Sequence, residues 1–397
     1  MNHKFSKKCN FLSLASFIAW LSLIVFSCQS PQQKESFDTL VNETSTQFAP
    51  DKRVAVLNLE IETPKQGTVI LKGETNLQEA HTFLLDKLAS MNVSVTDSIR
   101  LLPDAKLGDK TWGLVTLSVI PMRKNHAYSA EMVSQTIMGT PIKLLDKKGG
   151  WYLVQTPDQY IGWVYSSGIV ALTESELNAW KSSNRYIFIS MNGSAVEAPQ
   201  NDATVVSDLV LGNIFEAEQT ANGFLKITLP DGRKGFVRSA DCMDFDLWKT
   251  RIPEANNIIE TAKKMLGSPY LWGGTSTKGI DCSGFTKTAY FSQGVMLARD
   301  ASQQALYGEQ LNVSNFQFQP GDLLFFGRSK DRITHVGLYI GDDHFIHSSG
   351  RVRINSFNPN DEDYEEGRKK SLVAACRVLN SLNTGHIIPI KDHPWYN

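Results

Sequence analysis

The spacing of apolar residues along the chain changes several times, and each change marks an element. Ala55, Leu57, Leu59 and Ile61 alternate with polar neighbours, the period of a half-buried strand. Leu77, Ala80, Leu84, Leu88 and Met91 then recur at helical spacing, with Thr75 and Gln78 placed as a capping box. Val93, Val95 and Ile99 predict another strand. Residues 51–110 thus read as a small α/β unit that carries no evident chemistry.

Further along, the pattern repeats. The stretch VSQTIMGTPIKLLDKKGGWYLVQTPDQYIGWV from Val133 aligns without gaps on VSDLVLGNIFEAEQTANGFLKITLPDGRKGFV from Val206, always at an offset of 73. Gly139/Gly212, Gly150/Gly223, Pro157/Pro230, Asp158/Asp231 and Gly162/Gly235 are identical, and these are turn residues. Short β-rich runs broken by Gly, Asp and Pro predict two copies of a small all-β barrel, at residues 111–172 and 184–246. Thr173 and Glu176 form a capping box in the linker between them.

Helical spacing returns between Pro253 and Gly267, at Ile258, Ile259, Ala262 and Met265. A Gly-rich loop follows, then Asp281-Cys282-Ser283-Gly284 opens a second helix. Strand-like runs come next: GDLLFF from Gly321, ITHVGLYIG from Ile333, HFIHSSG from His344 and VAACRVL from Val373. Helices before an antiparallel meander predict an α+β domain over residues 250–380, with 381–397 left as a tail.

At the other end, Lys4, Lys7 and Lys8 precede an apolar run from Phe11 to Phe26, then Ser27-Cys28. A basic start, a short apolar core and a small residue before cysteine describe a lipoprotein signal peptide over residues 1–28, with Cys28 as the lipidated residue. Polar residues 29–50 read as a tether. An exported bacterial lipoprotein held to a membrane is the expected location.

Composition narrows the function classes. In 397 residues, 42% are hydrophobic and 20% charged, enough to build several cores. Lys plus Arg number 40 and Asp plus Glu 41, a net charge of −1 that supplies no basic field for nucleic acid. Five cysteines are too few for a disulfide scaffold. With Cys9 removed and Cys28 modified, Cys242, Cys282 and Cys376 remain, and three thiols cannot all pair within one chain.

Cys282 sits where a Gly-rich loop meets a helix start. A helix N-terminus favours thiolate over thiol, and its free N–H groups can hold an oxyanion. Such a nucleophile needs a base. His335 lies on a strand opposite the apolar Val336, Leu338 and Ile340, and His347 follows on the next strand, within a hairpin that allows its ring to bond the far nitrogen of His335. Spacing alone leaves a buried structural cysteine and satisfied strand histidines as alternatives. A zinc site is a third, disfavoured because no C-x-x-C or H-x₃₋₅-H accompanies these residues.

The blocks PYLWGGTSTKGIDCSGF, RDASQQ, PGDLLFF, HVGLYIG and FIHSSG resemble, in order and spacing, the NlpC-type family of cell-wall cysteine peptidases. The resemblance implies a papain-like α+β fold and cleavage of bacterial peptidoglycan peptides. Cys282 would be the nucleophile, His335 the general base, His347 the orienting third member, and Tyr270 a hydrogen-bonding group near the oxyanion. The two β units resemble bacterial SH3-like domains. The whole order of parts is similar to γ-D-glutamyl-L-diamino acid endopeptidases, which act on wall peptides with a free N-terminal L-alanine. That likeness implies Glu131, Tyr160 and Asp281 around the substrate ammonium, and Ser283 and Ser302 on the D-glutamate carboxylate. It implies a monomer with no metal or organic cofactor. A wall-binding protein with an inert last domain, and an amidase or acyltransferase of the same fold, are the rival expectations.

Overall fold

The computed structural model describes residues 31–63, 68–220 and 223–397. The predicted signal peptide and Cys28 lie outside the described residues.

The expected tether is instead structured, because residues 31–48 form a helix, Pro31–Phe48. Phe37, Leu40, Thr44 and Phe48 recur at helical spacing inside a polar composition. Phe37 and Leu40 are buried against Val69, Leu71, Leu84 and Leu88. This helix completes the core of the α/β unit. Its sheet has the order Leu57–Glu62, Thr68–Thr75, Ser94–Leu101, and the last two strands run parallel across helix Gln78–Ser90. The capping box expected from Thr75 and Gln78 does not form. Leu77 is the cap residue, and the Thr75 hydroxyl accepts from the Leu77 N–H instead.

The repeat is a structural duplication. Seven strands between Trp112 and Leu172 form one antiparallel unit, and seven between Arg185 and Asp244 form the other, with the same spatial order. Each strand of the second begins 73 residues after its counterpart, as Met132 and Val205 or Ile161 and Lys234 illustrate. The repeated glycine explains how the copies meet. Gly139 has φ +75° and Gly212 φ +92°; a Cβ on Gly139 would stand 2.2 Å from the Ile214 carbonyl oxygen, and one on Gly212 2.8 Å from Ile137. Each turn therefore presses on the other barrel where only glycine fits. Helix Glu174–Lys181 joins them, and its Thr173–Glu176 capping box forms.

In the last domain, helices Ala255–Lys264 and Cys282–Phe291 pack on a six-stranded antiparallel sheet. Its spatial order is Glu309–Gln310, Leu372–Arg377, Leu323–Gly327, Ile333–Gly341, His344–Ser349, Arg351–Ser356. The expected tail is not loose. Ile390 and Tyr396 are buried with Leu114, Ile214, Phe245 and Trp248, wedging the C-terminus between the barrels and the last domain. Cys242 and Cys376 are free thiols in separate cores.

Candidate active site

Cys282 is the first residue of helix Cys282–Phe291, and Asp281 is its N-cap. The loop before it runs so close to its neighbours that glycine is required. A Cβ on Gly273 would meet the Met132 carbonyl oxygen at 2.6 Å, and one on Gly284 would meet that of Gly274 at 2.0 Å. The sulfur faces the backbone N–H groups of Val336 and Ser283. Val336 adjoins His335 in sequence, so the helix start and the histidine strand meet at the thiol.

His335 Nε2 lies 2.7 Å from His347 Nδ1, and His347 Nε2 lies 2.9 Å from Asn355 Oδ1. The Asn355 amide nitrogen donates to the Asp363 carbonyl at 2.8 Å, which fixes its oxygen toward His347. His347 therefore carries its proton on Nε2 and accepts at Nδ1, so His335 donates from Nε2. The Nδ1 lone pair of His335 is then free for a proton from Cys282. Both rings are buried, and burial is the main cause that holds both in the neutral form, His335 well below the usual histidine range and His347 down to about 4. The cationic Arg368 and Arg353 push both the same way.

The cysteine departs from expectation. Helix position alone predicts a lowered pKa, but burial, with Asp281 adding to it, pushes the Cys282 thiol up to about 11. The resting site is a neutral thiol beside neutral imidazoles. Tyr270, half-buried nearby, is pushed up to about 12 by burial and by its neighbours Cys282 and Asp281, and keeps its proton to donate.

A cleft of about 1010 Å³ opens in front of the sulfur. Glu131, Tyr160, Tyr270, Asp281, Cys282, Ser283 and Ser302 all line it, and Arg53 and Leu57 of the α/β unit join them, so three parts of the chain share one cavity. His335 and His347 lie behind its wall, which Thr334 and Ile333 form. The first barrel is fixed on the last domain beside the cleft. Gln135 Oε1 accepts from Thr275 N–H and Ser276 hydroxyl, each at 2.9 Å, and Arg299 Nε donates to Ser134 at 2.9 Å. Lys287 also pairs with the buried Asp158.

Individual roles sharpen on inspection. Glu131 is exposed and lines the cleft; its Oε1 accepts from the Trp272 indole at 3.1 Å and its Oε2 lies 3.7 Å from the exposed Lys124 ammonium. Asp281 is already engaged, accepting from Gly273, Ser283, Gly284 and both terminal nitrogens of buried Arg299. It is thus a helix cap and ion-pair partner before it is an ammonium ligand. Ser283 accepts from Arg299 at 3.0 Å, and Ser302 from Arg53 at 3.1 Å. Tyr160 donates to Asp300 at 3.3 Å.

Sequence reasoning missed Arg53, Arg299, Asp300 and Asn355. Arg299 and Asp300 stood inside the RDASQQ block. Asn355 shares a strand face with Arg353, opposite His347, and the alternation of RVRINS was a readable signal. Arg53 had none: it comes from the α/β unit and reaches the cleft only through folding.

With this geometry in hand, comparison places the chain. Residues 267–371 match the NlpC/P60 family, and residues 122–169 match the bacterial dipeptidyl-peptidase SH3 domain. A Bacillus cereus protein named gamma-D-glutamyl-L-lysine dipeptidyl-peptidase is 29% identical over 229 residues, covering 55% of this chain and 67% of that one. Dipeptidyl-peptidase 6 of Lysinibacillus sphaericus is 27% identical over 256 residues, covering 62% and 91%. The crystal structure of an NlpC/P60 family protein from Bacillus cereus superposes with a TM-score of 0.58 at 24% identity, over 67% of this chain and 99% of that one, and shares the fold. The chain therefore carries an NlpC/P60 domain, with a bacterial dipeptidyl-peptidase SH3 domain ahead of it that walls the same cleft, and its relatives are named peptidases.

Proposed function

We propose that this protein is a cysteine endopeptidase that hydrolyses the γ-D-glutamyl amide of an L-diamino acid, in peptidoglycan peptides with a free N-terminal L-alanine, during wall turnover or recycling. The observation that carries this reading is the shared cleft, in which Cys282 faces Glu131 and Tyr160 of the first barrel. A free ammonium favours a carboxylate partner, and a capped amine there would leave that charge unmatched. Glu131 thus measures a fixed distance from the nucleophile to the peptide's first residue.

The chemistry follows from neutral partners. The Cys282 sulfur attacks the γ-carbonyl carbon while its proton moves to His335 Nδ1. The C–N bond breaks as His335 returns that proton to the departing amine, leaving a thioester on Cys282. Water, deprotonated by His335, then displaces the thiolate, which regains the proton. His347 and Asn355 stabilise the imidazolium formed in between. The first-turn N–H groups and the Tyr270 hydroxyl meet the oxyanion. The SH3-like second barrel and the N-terminal unit hold this assembly, and Cys28 anchors it to a bacterial membrane, on the periplasmic side or at the cell surface.

The test is hydrolysis of L-Ala-γ-D-Glu-diaminopimelate. Wild type should release L-Ala-D-Glu, and Cys282→Ala should release none. Undiminished cleavage by the variant removes Cys282 from the mechanism. Acetylating the alanine should abolish turnover; equal cleavage of the acetylated peptide removes the ammonium reading.

A further inference from the structure

On the far side of Thr334 from the main cleft lies a second cavity of about 510 Å³, lined by Phe326, Arg328, Arg332, Thr334 and Arg368 among others. Thr334 borders both cavities and directly precedes His335. Arg328 and Arg332 are exposed, flanking the turn between strands Leu323–Gly327 and Ile333–Gly341. Neither has an acidic partner among the described residues. Arg368 is half-buried, with its guanidinium 5.5 Å from the centre of the Phe326 ring and 3.4 Å from the Ser349 hydroxyl. No carboxylate lines this cavity. Glu365 acts on Arg368 but does not line the space, so three guanidiniums surround a concavity with no anion inside it and form a receptor for one.

Its position says which part of a substrate would enter. The acyl portion runs from Cys282 toward Ser283, Tyr160 and Glu131, on the other side of the sulfur. The departing nitrogen must meet His335, so the leaving group extends past His335 along Thr334. A lysine leaving group would bring its side-chain ammonium toward three cations. Diaminopimelate differs from lysine by one carboxylate beside that same amine, and the carboxylate matches the cavity.

Resting on the function proposed above, we propose that Arg328, Arg332 and Arg368 form a leaving-group subsite that recognises the side-chain carboxylate of diaminopimelate and discriminates against lysine. The L-lysine in the name of the Bacillus cereus relative would then not describe this chain's preference. Charge-assisted contacts of this kind are worth about tenfold or more in kcat/KM.

The experiment compares full-length protein on L-Ala-γ-D-Glu-diaminopimelate, the same peptide with its side-chain carboxylate amidated, and L-Ala-γ-D-Glu-L-Lys. All three keep the free alanine, so the ammonium site is constant. The expected kcat/KM for diaminopimelate exceeds both others by about tenfold or more. In the Arg328→Gln/Arg332→Gln double variant that ratio should collapse toward one, with an unchanged thermal midpoint because both side chains are exposed. Equal rates on the three peptides, faster cleavage of the lysine peptide, or a ratio kept in the variant overturns the subsite while leaving the peptidase reading intact. No cleavage of any γ-glutamyl peptide overturns both.

Discussion

His335 Nε2 and His347 Nδ1 stand 2.7 Å apart, and the proton between them belongs to His335. Because Asn355 fixes the other end, the pair is a relay of set polarity with its one free lone pair directed away from His347. The working base is neutral His335, and its protonation should set the acid limb of kcat/KM. Burial chiefly, with Arg368, His347 and Arg353, holds that pKa well below 6.5. Activity should therefore persist at pH 6 and fall only in more acid solution. Replacing Arg368 with Gln removes a repelling cation, raises the His335 pKa and moves the limb upward. A pH–rate profile of both proteins checks this. A wild-type limb at or above 6.5 would mean that the imidazole is not held neutral by its surroundings.

The thiol gives an independent readout. With burial and Asp281 pushing Cys282 up to about 11, only a small fraction is thiolate at neutral pH. Alkylation by iodoacetamide, followed by mass spectrometry, should be slow at pH 7 and still rising past pH 9. A rate already at its plateau by pH 7 would show a preformed thiolate, and the proton would then not wait for substrate.

Specificity for the free amine should reside in Glu131. The Glu131→Gln amide keeps an oxygen for the Trp272 indole while the charge is lost, together with its long, exposed pairing to Lys124. A charged hydrogen bond is worth about 1.5–3 kcal/mol, so kcat/KM for the free-alanine peptide should fall about tenfold or more. The acetylated peptide, already poor, should change little. Equal losses on both peptides would assign Glu131 to the barrel fold and not to the ammonium.

The nucleophile, the two histidines and the duplication were legible because each depends on local pattern. Cys282 stood at a loop-to-helix junction, the histidines on adjacent alternating strands, and the repeat at a constant offset. What was not legible came from long-range packing. A tether was read at residues 29–50 because polar residues outnumber Phe37 and Leu40, yet two side chains at helical spacing suffice when a sheet waits for them. Asp281 was expected around the substrate ammonium, and no local pattern announced its ion pair with Arg299. The thiol pKa was misread because helix position is visible in a sequence while burial by a distant strand is not.

Arg53 tests whether the N-terminal unit belongs to the site. Its backbone oxygen accepts from Ile161 of the first barrel at 2.8 Å, while its guanidinium donates to Asp300 at 2.7 Å and Ser302 at 3.1 Å. Asp51 holds it from behind and also accepts from Gln303 at 2.7 Å. One arginine thus ties three parts of the chain together along the cleft wall, where Tyr160 also donates to Asp300. The Arg53 side chain is 38% exposed and the Asp300 side chain 27% exposed, so the pair is screened and contributes about 1 kcal/mol or less to stability. Arg53→Ala should therefore shift the thermal midpoint only slightly. Losing its hold on Asp300 and Ser302 loosens the substrate wall without touching Cys282 or His335. KM should rise several-fold while kcat is largely kept. A variant that melts earlier yet keeps wild-type KM would make Arg53 a fold contact only, with no share in holding substrate.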